Sequence, residues 1–287
     1  MMDMKKSTFL KKTLYILFFT FYLISNSSVS AVRGSTDALL VIGSSYAKGT
    51  TRLDDNQLGS LAGLSVGSGG YLSLGDALVR ERSLNGLVIN EANVGNTTFD
   101  RYSCLAYECL PFGKLLGYQA QFENALKRVA IYDLNAPELI TEYNAKYLLI
   151  GVPNDCIHSD AFGVPQVDTH PCTQKEINEL ADNVIEIANQ AESLGIIAII
   201  PILPKYESLD LDIVQQGLGL KWVVNEYQYN DIRDTLVLRF ENELENALIV
   251  DIWKKFKHRG DGIHPNRKTV RKAARHISRI IRKHKEM

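Results

Sequence analysis

The sequence predicts a three-layer α/β/α sandwich around a central parallel sheet of about five strands. Two observations carry this. Short, wholly apolar runs rich in β-branched residues recur along the chain and stop at Gly, Pro or polar residues, as strands buried on both faces do. Between them lie longer segments with apolar residues at three-and-four spacing, and strands alternating with amphipathic helices build parallel sheets. Composition agrees: 287 residues, 45% hydrophobic and 23% charged, is an ordinary globular make-up. It excludes a disordered chain, a collagen-like repeat and a multi-span membrane protein.

The elements follow in order. Residues 38–42 (ALLVI) read as the first strand, ending in Gly43. Residues 46–70 are loop-like and glycine-rich, 71–84 read as a helix, 87–89 as a second strand, and 114–130 as a helix. Residues 147–150 are a third strand running into Gly151. Thr173 and Glu176 form a capping box opening a helix with Ile177, Leu180, Val184 and Ala188 on one face. Residues 196–203 are a fourth strand stopped by Pro204, 221–242 a helix, and 247–251 a fifth strand. Pro265 starts a last helix whose apolar stripe includes Val270, Ala274 and Ile277.

The N-terminus reads as an export signal: Lys5, Lys6, Lys11 and Lys12, an apolar run over 14–24, then small polar residues up to Ala31. The run is short of the ~20 apolar residues a membrane span needs. The expected organisation is a signal peptide over 1–31 and a single domain over 32–287, secreted or periplasmic. An uncleaved anchor is the alternative reading. In an oxidising compartment four cysteines suggest two disulfides. Three pairings exist, and the nearest in sequence, Cys104–Cys109 and Cys156–Cys172, is the expected one. Their spacing is unlike a zinc site.

Charge is unevenly placed. The formal net charge is -1, but residues 1–31 carry +3 and residues 254–287 carry +11, which leaves -15 between them. Bulk charge therefore gives no reason to expect nucleic acid. The basic last helix suits weak contact with an anionic surface, lipid headgroups or acidic polysaccharide, against the plainer reading of a solvated helix face. A monomer is expected.

In open α/β sheets ligands bind beyond the C-terminal strand ends. Four such ends are polar here: Gly43-Ser44-Ser45, Asn93 to Thr98, Gly151 to Asp155, and the stretch Asp261-Gly-Ile-His264-Pro265 after the last strand. A serine, a carboxylate and histidine on one short loop, and several hydrogen-bond donors are the parts of an acyl-transfer site. The chain resembles the SGNH hydrolases, also called the GDSL esterase/lipase family, over about residues 38–285, with all four family blocks in order. Gly43-Ser44-Ser45 stands for Gly-Asp-Ser, with Ser44 replacing the usual Asp. Gly95 precedes Thr97-Thr98, Asn154-Asp155 forms the third block, and Asp261 to Pro265 matches Asp-x-x-His-Pro in full.

The resemblance implies an exported serine esterase of SGNH/flavodoxin-like fold that cleaves acyl or acetyl esters of small-molecule, lipid or glycan substrates with no cofactor and no metal. It implies Ser45 as nucleophile, His264 as its base and Asp261 as the orienting carboxylate. The Ser45 and Gly95 N–H groups and the Asn154 amide would form the oxyanion hole. An envelope-glycan O-acetyltransferase of the same fold, or an inactive SGNH-like binding protein, is the alternative. Two decoys compete. Gly63-Leu-Ser65-Val-Gly67 fits the nucleophile-elbow pattern but lacks a strand before it and a helix after it. Gly75-Asp76 echoes the family's name motif but lacks the serine and sits in a helical pattern.

Overall fold

The computed structural model describes residues 38–48, 72–84, 87–105, 108–153, 155–157, 170–213 and 224–286, with backbone alone over 101–114. All of them lie in the compact unit Asp37–Met287. The signal-peptide segment, the decoy serine Ser65 and Asn154 fall outside the described residues.

In chain order the elements are β1 (Ala38–Ile42), α1 (Leu74–Val79), β2 (Val88–Asn90), β3 (Arg101–Leu105), β4 (Glu108–Leu115), α2 (Tyr118–Val129), β5 (Ala130–Tyr132), β6 (Ile140–Tyr143), β7 (Ala145–Ile150), α3 (Gln174–Ser193), β8 (Ile197–Pro201), α4 (Glu226–Glu243), β9 (Leu248–Val250) and α5 (Arg267–Glu286). Five strands form the central sheet, in the order β2-β1-β7-β8-β9, and every pairing is parallel. This is the sheet that the apolar runs predict. The helix α1 packs with α5, while α2, α3 and α4 pack side by side. Right-handed crossovers put these two groups on opposite faces. Covered on both sides, β1 is at most 1% exposed along its whole length, and Leu148, Leu149 and Ile150 of β7 are at 0%.

Local chemistry sets the element ends. Thr173 accepts from the Glu176 N–H, and Glu176 accepts in return from the Thr173 N–H, closing the expected capping box of α3. The first helix is shorter than the expected 71–84. Ser73 and Asp76 form a capping box that starts α1 at Leu74, and after Val79 the chain makes only a 3-10 turn over Arg82–Leu84. Asn225 caps α4, moving its start from 221 to Glu226.

Two hairpins depart from the sequence reading. Strands β3 and β4 pair antiparallel where loop and the start of a helix are expected, so α2 begins at Tyr118 rather than 114. Strands β5 and β6 pair antiparallel where no strand is expected. Both are two-stranded sheets outside the central core, so no buried apolar run announces them. In the first hairpin the register sets Cys104 opposite Cys109. Whether their sulfurs join lies outside the described side chains.

Candidate active site

The sheet order reverses between β1 and β7, and a ligand crevice opens at the strand ends where an α/β sheet changes direction. Three of the four polar segments meet around this point. Gly43 has φ 137°, and a Cβ on it would lie 2.9 Å from Gly151 Cα. A Cβ on Gly151 would lie 2.8 Å from Ala47 Cβ. The paired glycines therefore let the turn after β1 and the end of β7 touch backbone to backbone, which gives Gly151 a packing role.

The turn itself runs from Ser44 to Lys48, whose N–H and that of Ala47 both donate to Ser44 O. Ser44 is 3% exposed, and its hydroxyl donates to Val152 O at 3.2 Å. Ser45 is the more exposed of the two serines. With Ser44 in the usual Asp position, helix α2 holds the turn. Gln121, 1% exposed, accepts from the Gly43 N–H at 2.7 Å. The other end of the same peptide, Ile42 O, accepts from the Gly151 N–H at 2.8 Å. Tyr118, fully buried, donates to Val152 O at 3.0 Å, the same carbonyl that accepts from the Ser44 hydroxyl. Burial, reinforced by the Asp155 charge, pushes the Tyr118 hydroxyl far above its ordinary value, so it stays a neutral donor. Sequence reasoning missed Gln121 and Tyr118, because they sit at helical positions where polar and aromatic side chains are unremarkable.

After β2 the chain turns at Asn93 to Asn96. Gly95 lies at φ 74°, a left-handed conformation in which a β-carbon is strained. Thr98 follows, and both its N–H (2.9 Å) and its hydroxyl (2.6 Å) donate to Asp155 Oδ1. Asn183 of α3 donates to the Thr98 hydroxyl at 2.9 Å. Asp155 is wholly buried and ties the loop after β2 to the loop after β7, a fixing role rather than a reacting one. One residue on, Cys156 is bridged to Cys172 with Cα atoms 5.5 Å apart, as the pairing by proximity expects. Cys172 directly precedes the cap of α3, so the bridge fastens the loop after β7 to the start of that helix.

The fourth segment brings two predicted residues into direct contact. His264 Nδ1 lies 2.8 Å from Asp261 Oδ2. Asp261 Oδ1 accepts from the Ile263 and His264 N–H groups at 3.1 and 2.8 Å, and Oδ2 also accepts from Arg259 Nε at 2.5 Å. Burial alone would raise the Asp261 pKa, but the bond and charge of His264, then the Arg259 bond, outweigh it and hold the carboxyl far below the usual range. An ionised carboxylate only accepts. His264 Nδ1 is therefore the donor, and in the neutral ring Nε2 is left as the basic nitrogen. Arg259 is a contact the sequence reading did not foresee.

Tyr46 joins this loop to the turn after β1. It follows Ser45 directly, donates its hydroxyl to Ile263 O at 2.6 Å, and lies 6.1 Å from the His264 ring, centroid to centroid. It also packs against Trp253 and Phe256. The loop is closed at its base by a bridge between His258 and Pro265, and His258 Nδ1 accepts from Gly260 and Gly262. The decoy Gly75-Asp76 sits in α1, where Asp76 serves the capping box. Among the described residues no group of three or more His, Cys, Asp or Glu is placed to hold a metal ion.

No family model matches the chain, and neither does any curated protein. Solved structures do. A carbohydrate acetylesterase family member from Sinorhizobium meliloti aligns with TM-score 0.51 at 12% identity, over 86% of this chain and 97% of its own. A further carbohydrate acetylesterase from the same organism gives 0.48 at 13%, over 85% and 98%. A psychrotrophic esterase from Pseudoalteromonas gives 0.46 at 12%, over 88% and 100%. The chain has the α/β fold of the SGNH hydrolases.

Proposed function

We propose that the protein is an exported serine esterase that hydrolyses acyl or acetyl esters, with Ser45 as nucleophile, His264 as base and Asp261 as orienting carboxylate. The observation that carries the reading is the Asp261–His264 pair, with Nε2 left basic, on a loop to which Tyr46, the residue next to Ser45, is hydrogen-bonded. Such a pair is what a weak hydroxyl nucleophile requires. His264 Nε2 takes the Ser45 proton as Oγ bonds to the ester carbonyl carbon. Asp261 stabilises the imidazolium. The tetrahedral oxyanion is met by the Ser45 and Gly95 N–H groups and the Asn154 amide. The imidazolium returns its proton to the departing alkoxide, and water then releases the acyl group from Ser45 by the same steps. Removing one such oxyanion donor typically costs about 2.7–4 kcal/mol in the barrier.

Support for an ester substrate comes from the fold and from structural neighbours that are themselves esterases. Support for export comes from the lysine-led apolar segment at the N-terminus and from the Cys156–Cys172 bridge. Among the described residues no helix is long and apolar enough to cross a membrane. The test is covalent labelling by a fluorophosphonate together with turnover of aryl esters from acetyl to palmitoyl. Labelling at Ser45 with turnover of one chain-length class is expected. A chain that neither labels nor turns over any ester refutes the reading.

A further inference from the structure

The helix α5 carries nine Lys and Arg against one acid, Glu286. Its apolar stripe faces inward: Val270, Ala273, Ala274 and Ile277 are at 0% exposure and Ile281 at 1%. Five cations, Lys254, Lys272, Arg275, Arg279 and Lys283, line a groove of about 380 Å³. Ile252 and Ile280 add apolar surface to it, and no acidic residue lines it. None of the five cations has a carboxylate partner among the described residues.

Basic residues in the last turn of a helix are explained by its dipole, which acts over one turn only. That accounts for Lys283. It does not account for Lys272, Arg275 and Arg279, one to three turns further in. Arg275 with Arg279, and Arg279 with Lys283, are like charges four residues apart, an arrangement that weakens an isolated helix. The opposite face of the sheet is the reverse: α3 and α4 together carry ten acidic residues and three basic ones. The molecule is thus charged as a plate, positive over α5 and negative over α3 and α4.

We propose that the α5 groove is a docking surface for an anionic phospholipid bilayer, with a headgroup phosphate seated among Lys254, Arg275 and Arg279. A planar surface meets the positive face alone, and the negative far side turns that face toward it. A polyanion that wraps would meet both faces. A single-stranded nucleic acid would further call for a row of aromatic stacking platforms, and His276 is the one aromatic ring among the residues lining the groove. Because the apolar stripe of α5 is committed to the core, docking is peripheral and salt-reversible, unlike the insertion of an amphipathic helix.

A cation close to such a surface is worth about fivefold in partitioning. Co-sedimentation of the full chain with phosphatidylcholine vesicles, with and without phosphatidylglycerol, tests the proposal. Binding should require phosphatidylglycerol, weaken with added salt, and fall about twenty-five-fold in Arg275→Gln with Arg279→Gln. Aryl-ester turnover and circular dichroism should stay at wild-type values, and Lys272→Gln with Lys283→Gln should repeat the loss. Any binding carried by the N-terminal apolar segment would persist in both variants and on uncharged vesicles. Equal binding by wild type and variants, or to both vesicle types, overturns the proposal. So does tighter binding to a polyuronate or a single-stranded nucleic acid than to the vesicles. Since no ester is cleaved in the assay, its failure is separate from failure of the esterase reading.

Discussion

Replacing Gln121 by Met keeps the side chain's bulk and removes both of its hydrogen bonds. The two losses are unequal. Leu116 O loses the Gln121 Nε2 donor at 3.3 Å but keeps Asn96 Nδ2, and its residue is 40% exposed, so water fills the gap. The Gly43 N–H is buried and has Gln121 Oε1 as its partner, so it is orphaned. A buried donor left without a partner costs about 1–3 kcal/mol. The same N–H is one end of the Ile42–Gly43 peptide, two residues before Ser45, and the other end of that peptide is held by the Gly151 N–H. Freed at one end, that plane can tilt and carry the nucleophile with it. A shift of about 1 Å is enough for a hundredfold loss of rate. Gln121→Met should therefore lose about 1–3 kcal/mol in urea unfolding and roughly ten- to a hundredfold in kcat on an aryl acetate, with KM little changed. Gln121→Glu keeps an acceptor for Gly43 and should recover part of the kcat. A Met variant that is destabilised yet turns over at the wild-type kcat would refute the claim that α2 positions the turn.

Three further outcomes are expected. Ser45→Ala should abolish fluorophosphonate labelling and nearly all turnover while Ser65→Ala keeps most of both; the reverse pattern would transfer the nucleophile to Ser65. Because Asp261 is held far below the ordinary carboxyl range of about 3.9, the stability it confers is complete above that pH and lost as pH falls below it. Asp261→Asn should thus be less stable than wild type at neutral pH, with the gap narrowing in acid unfolding curves; a constant gap would be inconsistent. Opening Cys156–Cys172 frees a loop with sequence separation 16, worth about 3 kcal/mol on the chain-entropy account. Cys156→Ser with Cys172→Ser should lower Tm and, through the neighbouring Asn154, kcat; an unchanged Tm would rule out a stabilising bridge.

By itself the sequence determined the architecture, because its signals are local. An apolar run such as 38–42 is readable within five residues, and a capping box such as Thr173–Glu176 within four. The Asp261–His264 pair was legible for the same reason: three residues apart on one loop, the two groups can reach each other with little help from the rest of the chain. Only the tertiary structure decided what holds the turn after β1 in the absence of the usual aspartate. Gln121 is 78 residues from Gly43, and Tyr46 is 217 residues from Ile263. Nothing in the periodicity of α2 distinguishes a glutamine that buries both ends of its amide from one that faces water, since that depends on which strand end the helix crosses. The hairpins β3–β4 and β5–β6 escaped for the converse reason: lying outside the central sheet, they carry no two-faced apolar run to mark them. Charge shows the same division, since the basic end and the acidic body can be counted along the chain, while their separation onto opposite faces of the sheet follows from the crossovers that place α5 on one side and α3 and α4 on the other.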